Sequence, residues 1–243
     1  MKVVIVYKWA RDDANAAVRA DGAVDWRGAK MTAGEDDPAA LAVAKQVAES
    51  SGGTVVGLTI GDGDASWALA RGVEEAFSVT DAPPLADNAA TARIIAAAVQ
   101  RIGDVDVVVM GDSKQDPGVG PAVAGYLGWT ALAGLVSASF ADGRIAAVRR
   151  SGTEQQTMSA APPVVLGVAA EADVDKTPGM KELLAARKRA LTTWSMADLG
   201  LAVVDVQSRG TRKPEVVAAK LFEGEPAASA AQLVAALRAD GVL

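Results

Sequence analysis

The chain has 243 residues, enough for one large domain or a domain with an extension, and half of them are hydrophobic. A net charge of −6 argues against a nucleic-acid partner. The lack of cysteine and histidine excludes disulfides, thiolate catalysis, imidazole acid–base chemistry and every His/Cys metal site. No apolar run reaches the about 18 residues needed to span a bilayer, so the expectation is a cytoplasmic protein, not an integral membrane protein.

The first residues, MKVVIVYKWARDD, read as a strand over Lys2 to Tyr7 and not as a signal peptide, because the apolar run is short and no small-residue cleavage site follows. Lys8 to Lys30 is a polar excursion with a turn at Asp21-Gly22. Asp36 to Ser50 reads as a helix: Asp36 or Asp37 can cap it, Pro38 suits the first turn, and Leu41, Ala44, Val47 and Ala48 share a face. A strand is expected over Thr54 to Ile60, a helix over Ala65 to Glu75, a short strand over Ala76 to Val79 and an alanine-rich helix over Asp87 to Ile102. Val105 to Met110 reads as a buried strand. Strands alternating with helices imply right-handed crossovers and a parallel sheet, whose ligands bind beyond the carboxyl ends of the strands. Lys8-Trp9-Ala10, Gly61 to Asp64 and Gly111 to Gly120 fall there.

Gly111 to Gly120 joins the buried strand to a helix expected over Pro121 to Leu127. Strand, glycine loop and helix start can aim backbone N–H groups at an anion. The same residues also suit a tight turn whose glycines serve chain geometry alone. After Gly128 the pattern changes. Leu132 to Phe140, Arg144 to Arg150 and Gln155 to Ser159 read as antiparallel strands, with an Asp142-Gly143 hairpin turn, and Val164 to Ala169 returns to the main sheet. From Glu171 onward the chain is polar and loosely patterned. Met180, Leu183, Leu184, Arg187 and Leu191 fall at helical spacing beside Lys188 and Arg189. Leu201 to Glu225 carries Arg209, Arg212 and Lys213 without clear periodicity, and Ser229 to Ala239 reads as a last helix. The fold expected is α/β: a Rossmann-like parallel sheet with flanking helices, a β-hairpin insertion and an extended C-terminal arm, with domains at 1–170 and 171–243. So weakly cored an arm is suited to lie against another surface, or to wrap its own domain.

Several segments carry a resemblance over nearly the whole length. Val18-Arg19-Ala20-Asp21-Gly22 with Val24-Asp25 and Lys30-Met31, the run Ala68-Leu69-Ala70-Arg71-Gly72-Val73, Val119-Gly120-Pro121 with Leu127-Gly128, Pro162-Pro163-Val164-Val165, and Leu183 to Arg189 are similar, in this order, to the β subunit of electron-transfer flavoproteins. The resemblance implies a non-catalytic subunit of a heterodimer. Its α subunit holds most of the FAD, and the β subunit covers part of the isoalloxazine. Ordinary members bind AMP in the β subunit and bifurcating members a second FAD. On this chain the implied nucleotide contacts are Lys8, Trp9, Ala10, Gly61, Gly111, Asp116, Gly118, Val119, Gly120 and Pro121. The implied dehydrogenase-docking loop comprises Thr177, Met180, Leu183, Leu184 and Arg187. Asp36-Asp37-Pro38-Ala39 departs from the family's asparagine-proline-x-aspartate, and the loops after Gly61 and Gly111 are short. An AMP-like adenylate, or none, is therefore expected over a second FAD. A stand-alone adenine-nucleotide-binding regulator of the universal-stress type is the alternative, and an adenylate-forming enzyme using Lys114 and Ser113 a third.

Overall fold

The computed structural model describes residues 1–61, 63–64, 66–83, 87–112, 116–169, 177–202, 209–210, 214–215 and 217–243. Ser113, Lys114, Arg212, Lys213, Ala65 and the expected boundary at 170–171 lie outside the described residues. In chain order the elements are β1 (Lys2–Val6), β2 (Trp9–Arg11), β3 (Ala17–Val18), β4 (Val24–Asp25), β5 (Met31–Ala33), α1 (Asp37–Ser51), β6 (Thr54–Ile60), α2 (Ser66–Leu69), β7 (Glu75–Val79), α3 (Asn88–Ile102), β8 (Val107–Gly111), α4 (Val119–Leu127), β9 (Thr130–Ala141), β10 (Arg144–Ser151), β11 (Glu154–Ala160), β12 (Val164–Val168), α5 (Met180–Ala186), β13 (Thr192–Trp194) and α6 (Pro226–Ala239).

Among the described residues these strands build a nine-stranded sheet in the order β11-β10-β9-β12-β8-β1-β6-β7-β13. It is mostly parallel: β9, β12, β8, β1, β6, β7 and β13 run together, and β10 is antiparallel to both of its neighbours. This is the Rossmann-like α/β arrangement expected. Strand alternation assigns the two faces of β1. Val3, Ile5 and Tyr7 join the core beneath α1, whereas Val4 and Val6 join the core beneath α3 and α4. Helix α1 buries Ala39, Ala40, Ala42, Ala44 and Ala48 as well as Leu41, Val43 and Val47. So many small side chains let its backbone lie close to the sheet.

Most expected elements appear within two residues of their expected ends. Helix α6 starts three residues early, at Pro226, and helix α2 and the hairpin insertion differ for local reasons. Helix α2 stops at Leu69, because Gly72 turns with φ 90° and Glu74 N–H is drawn to the Val55 carbonyl at 2.9 Å, so Glu75 already belongs to β7. Helix α4 starts at Val119, placing Pro121 in its first turn. The expected hairpin insertion extends the main sheet: β9 pairs with β12 in parallel and passes through Asp142 (φ 50°) and Gly143 (φ 75°) into β10.

By compactness the chain forms one unit of Met1–Ala17 with Asp25–Arg209, and another of Val18–Val24 with Gly210–Leu243. The first gains an edge strand that no sequence pattern signalled. β13 pairs with β7, Trp194 stacks on Phe77 with ring centroids 5.0 Å apart, Arg101 lies over Trp194 at 5.4 Å, and Asp81 Oδ1 accepts the Met196 N–H at 2.7 Å. Met196 is thereby buried. In the second unit, α6 contains no buried residue.

Trp194 is half-buried, so Trp194→Ala should cost about 2–3 kcal/mol, part of the usual loss for a large aromatic. Thermal melting followed by circular dichroism should show a midpoint lowered by about 5–10 °C. An unchanged midpoint would mean that β13 adds nothing to the sheet.

Candidate functional site

The strand order places the site. From β1 the chain moves outward through β6 to β7, then crosses to β8 on the other side of β1. The carboxyl ends of β1 and β8 therefore flank the point where the winding reverses, which is where such sheets leave a crevice. Four segments meet there: the residues after β1, the start of α1, Gly111-Asp112 at the end of β8, and the turn into α4.

A buried carboxyl holds two of them together. Asp37 Oδ2 accepts the backbone N–H of Lys8 and that of Gly34, both at 2.8 Å. This fixes the chain leaving β1 against the turn entering α1. Asp37 is 5% exposed. Burial raises its pKa from 3.8 to about 7, the two N–H bonds and the Lys8 charge oppose the rise, and the Asp36 charge adds to it. Gly111 belongs to the same contact: a Cβ there would come within 2.7 Å of Asp36 Cβ, so only glycine lets β8 end against α1.

On the β8 side, the Asp112 N–H donates to the Val168 carbonyl at 2.7 Å, and Asp112 Oδ2 accepts the Gly134 N–H at 2.9 Å. Lys8 Nζ reaches Asp116 Oδ2 at 2.7 Å, and the two side chains are 43% and 39% exposed. The Asp116 carbonyl accepts the Val119 N–H at 3.2 Å, closing the turn into α4. A shallow cleft of about 330 Å³, counting the space open to solvent, lies alongside, lined by Asp112, Asp116, Pro117, Gly120, Pro121 and Gly167 among others.

Of the residues expected at a nucleotide site, Gly111, Asp116, Gly120 and Pro121 line this crevice and Lys8 reaches it through Asp116, whereas Gly118 lies against Asn88 and Val119 is buried in the core beneath α3 and α4. Trp9 and Ala10 turn away into the β2–β5 ribbon, opposite Ala33 and Thr32. Gly61 ends β6 one strand away, its φ of 77° allowing its N–H to reach the Val79 carbonyl at 2.8 Å. The loop after it carries Asp64, whose carbonyl accepts the Tyr7 hydroxyl at 3.4 Å. Tyr7 is buried with its ring centroid 5.0 Å from that of Trp67, and burial with the nearby Asp64 and Asp37 charges raises its pKa. The sequence pattern did not mark the bonding role of Asp37 or of Asp112. An acid beside a helix-starting proline is the signal that could have found the first; nothing adjacent signals the second.

Among the described residues, the side chains at this crevice offer a phosphate few partners. A Cβ on Gly118 would meet the end of the Asn88 side chain, at 3.1 Å from Nδ2. At Gly120 the nearest atom to an added Cβ is Met110 Sδ at 3.5 Å, an ordinary contact. The described cleft lining contributes two carboxylates and no cation, and Lys8 already has its counter-ion. The pyrophosphate of a dinucleotide fits no better, because α1 opens with Asp36-Asp37-Pro38 where a glycine-rich turn would be needed.

The implied docking residues group differently. Thr177 and Arg187 are exposed, and Met180 begins α5. Met180 is 71% and Leu184 51% exposed, one helical turn apart, while Leu183 is half-buried and Ala186 is buried with Leu69 and Ala76. Arg189 donates to the carbonyls of Val73, at 2.9 Å, and Glu74. Ala186 and Arg189 thus anchor the segment and leave Met180 and Leu184 outward.

Fold and crevice together define a doubly wound α/β protein with a Rossmann-like, mostly parallel sheet. Residues 24–199 match the electron transfer flavoprotein domain, and the chain belongs to the electron transfer flavoprotein family. Among the described residues no helix is long and apolar enough to cross a membrane, and no cluster of acidic residues is arranged to hold a metal.

In the unfolded chain Asp37 titrates near 3.8 and in the fold near 7. Its contribution to stability is therefore whole below about pH 4 and is lost as pH rises through 7. The difference is on the order of 4 kcal/mol. Asp37→Asn mimics the protonated carboxyl and should gain on the wild type by several kcal/mol between pH 4 and pH 8 in urea unfolding. Parallel pH profiles would mean that Asp37 is ionised throughout.

Proposed function

We propose that this chain is the β subunit of a heterodimeric electron-transfer flavoprotein, passing electrons from a flavin-linked dehydrogenase to a downstream acceptor and working in the cytoplasm. Family membership supports the carrier role. The single observation that carries the subunit reading is the unburied second unit. Helix α6 buries no residue, and Val217, Leu221, Leu233, Val234, Val242 and Leu243 are all more than a third exposed. An arm with this much exposed apolar surface gains stability by covering apolar surface on a partner.

A flavin held chiefly by the α subunit supplies the redox chemistry. Among the described residues, this chain's crevice offers a dinucleotide few partners, and its lack of histidine and cysteine is no obstacle in a subunit that covers, orients and docks. Met180 and Leu184 form an adaptable apolar contact for the dehydrogenase, with Arg187 and Lys188 beside them to attract an acidic rim. Thr177 and Leu183 complete that loop.

Co-expression with the α subunit should give a yellow 1:1 complex on size-exclusion chromatography, and the chain alone should bind little flavin; a flavin-bearing monomer of this chain would contradict the assignment. Within the complex, Met180→Glu should leave flavin content and melting unchanged while lowering the rate of flavin reduction by the dehydrogenase about tenfold or more. Ala186→Glu, at the anchored face, should instead lower the melting temperature. Equal reduction rates in Met180→Glu and wild type would remove Met180 from the docking surface.

A further inference from the structure

We propose that Met180 is a reversible oxidation site: hydrogen peroxide converts its thioether to a sulfoxide, and the sulfoxide weakens docking of a dehydrogenase on α5. The effect on docking rests on the contact role proposed for Met180; the selectivity of the oxidation does not.

The chain has six methionines and no cysteine, so thioethers are its only sulfur groups. They differ sharply in access. Met110 and Met196 are buried in the core beneath α3 and α4. Met1 and Met158 are half-buried against the core beneath α1. Met31 lies in the β2–β5 ribbon and is 40% exposed, whereas Met180 is 71% exposed. Oxidation of a thioether follows access to the sulfur, which ranks Met180 first.

Its place on α5 makes the oxidation consequential. Met180 opens the helix and Leu184 stands one turn on, also outward, so the thioether is half of a two-residue apolar contact. Ala186, buried with Leu69 and Ala76, and Arg189, donating to the carbonyls of Val73 and Glu74, hold the segment from its other side. Those anchors contain no sulfur, so oxidation alters the outward surface and leaves the attachment of α5 in place. In the reaction the sulfur lone pair attacks one peroxide oxygen and the O–O bond breaks. The departing hydroxide takes the proton left on the sulfur-bound oxygen and leaves as water; sulfur is oxidised and peroxide reduced. The product carries a polar S=O acceptor where an apolar contact stood, and burying it against a partner without a donor opposes association. Methionine sulfoxide reductases reverse the step with a dithiol reductant: the oxygen departs as water and the reductant becomes a disulfide.

The first test exposes the full chain to hydrogen peroxide, stops samples with catalase and follows each methionine by peptide mass spectrometry. Met180 should oxidise about threefold or more faster than Met31 and about tenfold or more faster than Met110 and Met196. A Met180 that oxidises no faster than Met31 would overturn the proposal. In the co-expressed complex, oxidation should leave flavin content and melting unchanged and lower the rate of flavin reduction by the dehydrogenase about fivefold or more. Methionine sulfoxide reductases with a dithiol should restore that rate. Met180→Leu, compared with itself before and after peroxide, should lose the sensitivity, and Met31→Leu should keep it. Sensitivity that survives Met180→Leu would overturn the proposal. So would an unmoved rate on oxidation where Met180→Glu lowers the rate. If oxidation and Met180→Glu both leave the rate unmoved, the docking reading fails and the proposal falls with it.

Discussion

One carboxylate oxygen, Asp37 Oδ2, holds the functional end of the sheet together. It accepts hydrogen bonds from the Lys8 N–H in the chain leaving β1 and from the Gly34 N–H in the turn entering α1. Between those two points runs the excursion from Lys8 to Glu35, with ribbons but little core of its own. A long loop closed by two hydrogen bonds needs them well shielded, and burial of Asp37 provides the shielding. The same burial raises the pKa of the group toward neutrality. The stability of the crevice is thereby tied to the protonation of a residue that no ligand need touch.

From that anchor the charge layout of the crevice follows. Lys8 is aimed by its own pinned backbone N–H toward the turn at Asp116, whose carboxylate it reaches. An exposed ion pair of this sort adds little to stability. Gly111 is demanded by the approach of α1, a contact within the protein. A glycine-rich turn before a helix is the local feature that most suggests phosphate, yet here the packing of α1 accounts for its first glycine.

The sequence disclosed the sheet and its helices because their signals are strong: β-branched runs for β1, β6, β8 and β12, an acid at Asp87 whose carboxyl accepts the Ala90 N–H, and an Asp-Gly turn at Asp142-Gly143. Helix α2 was overextended because helical propensity over Ala65 to Glu75 yields to the hydrogen bond that draws Glu74 to β6. Strand β13 was illegible, since three residues at a sheet edge carry no period, and its stability comes from Phe77, Arg101 and Asp81, all distant in sequence. The crevice was legible as a location, because loops after parallel strands converge there. Its electrostatic character was not, because pairing of Lys8 with Asp116 and double acceptance by Asp37 are properties of the folded chain alone.

On the proposed subunit reading, the arm is the part of the chain that a partner would cover. A helix that buries none of its residues has little packing to oppose the entropy of ordering it. Hydrogen exchange on the full chain, alone and combined with the proposed α subunit, tests this most directly. The account predicts fast exchange across α6 in the chain alone and protection rising about a hundredfold or more on assembly, with β1, β6 and β8 protected in both. Equal protection of α6 with and without the partner would contradict it.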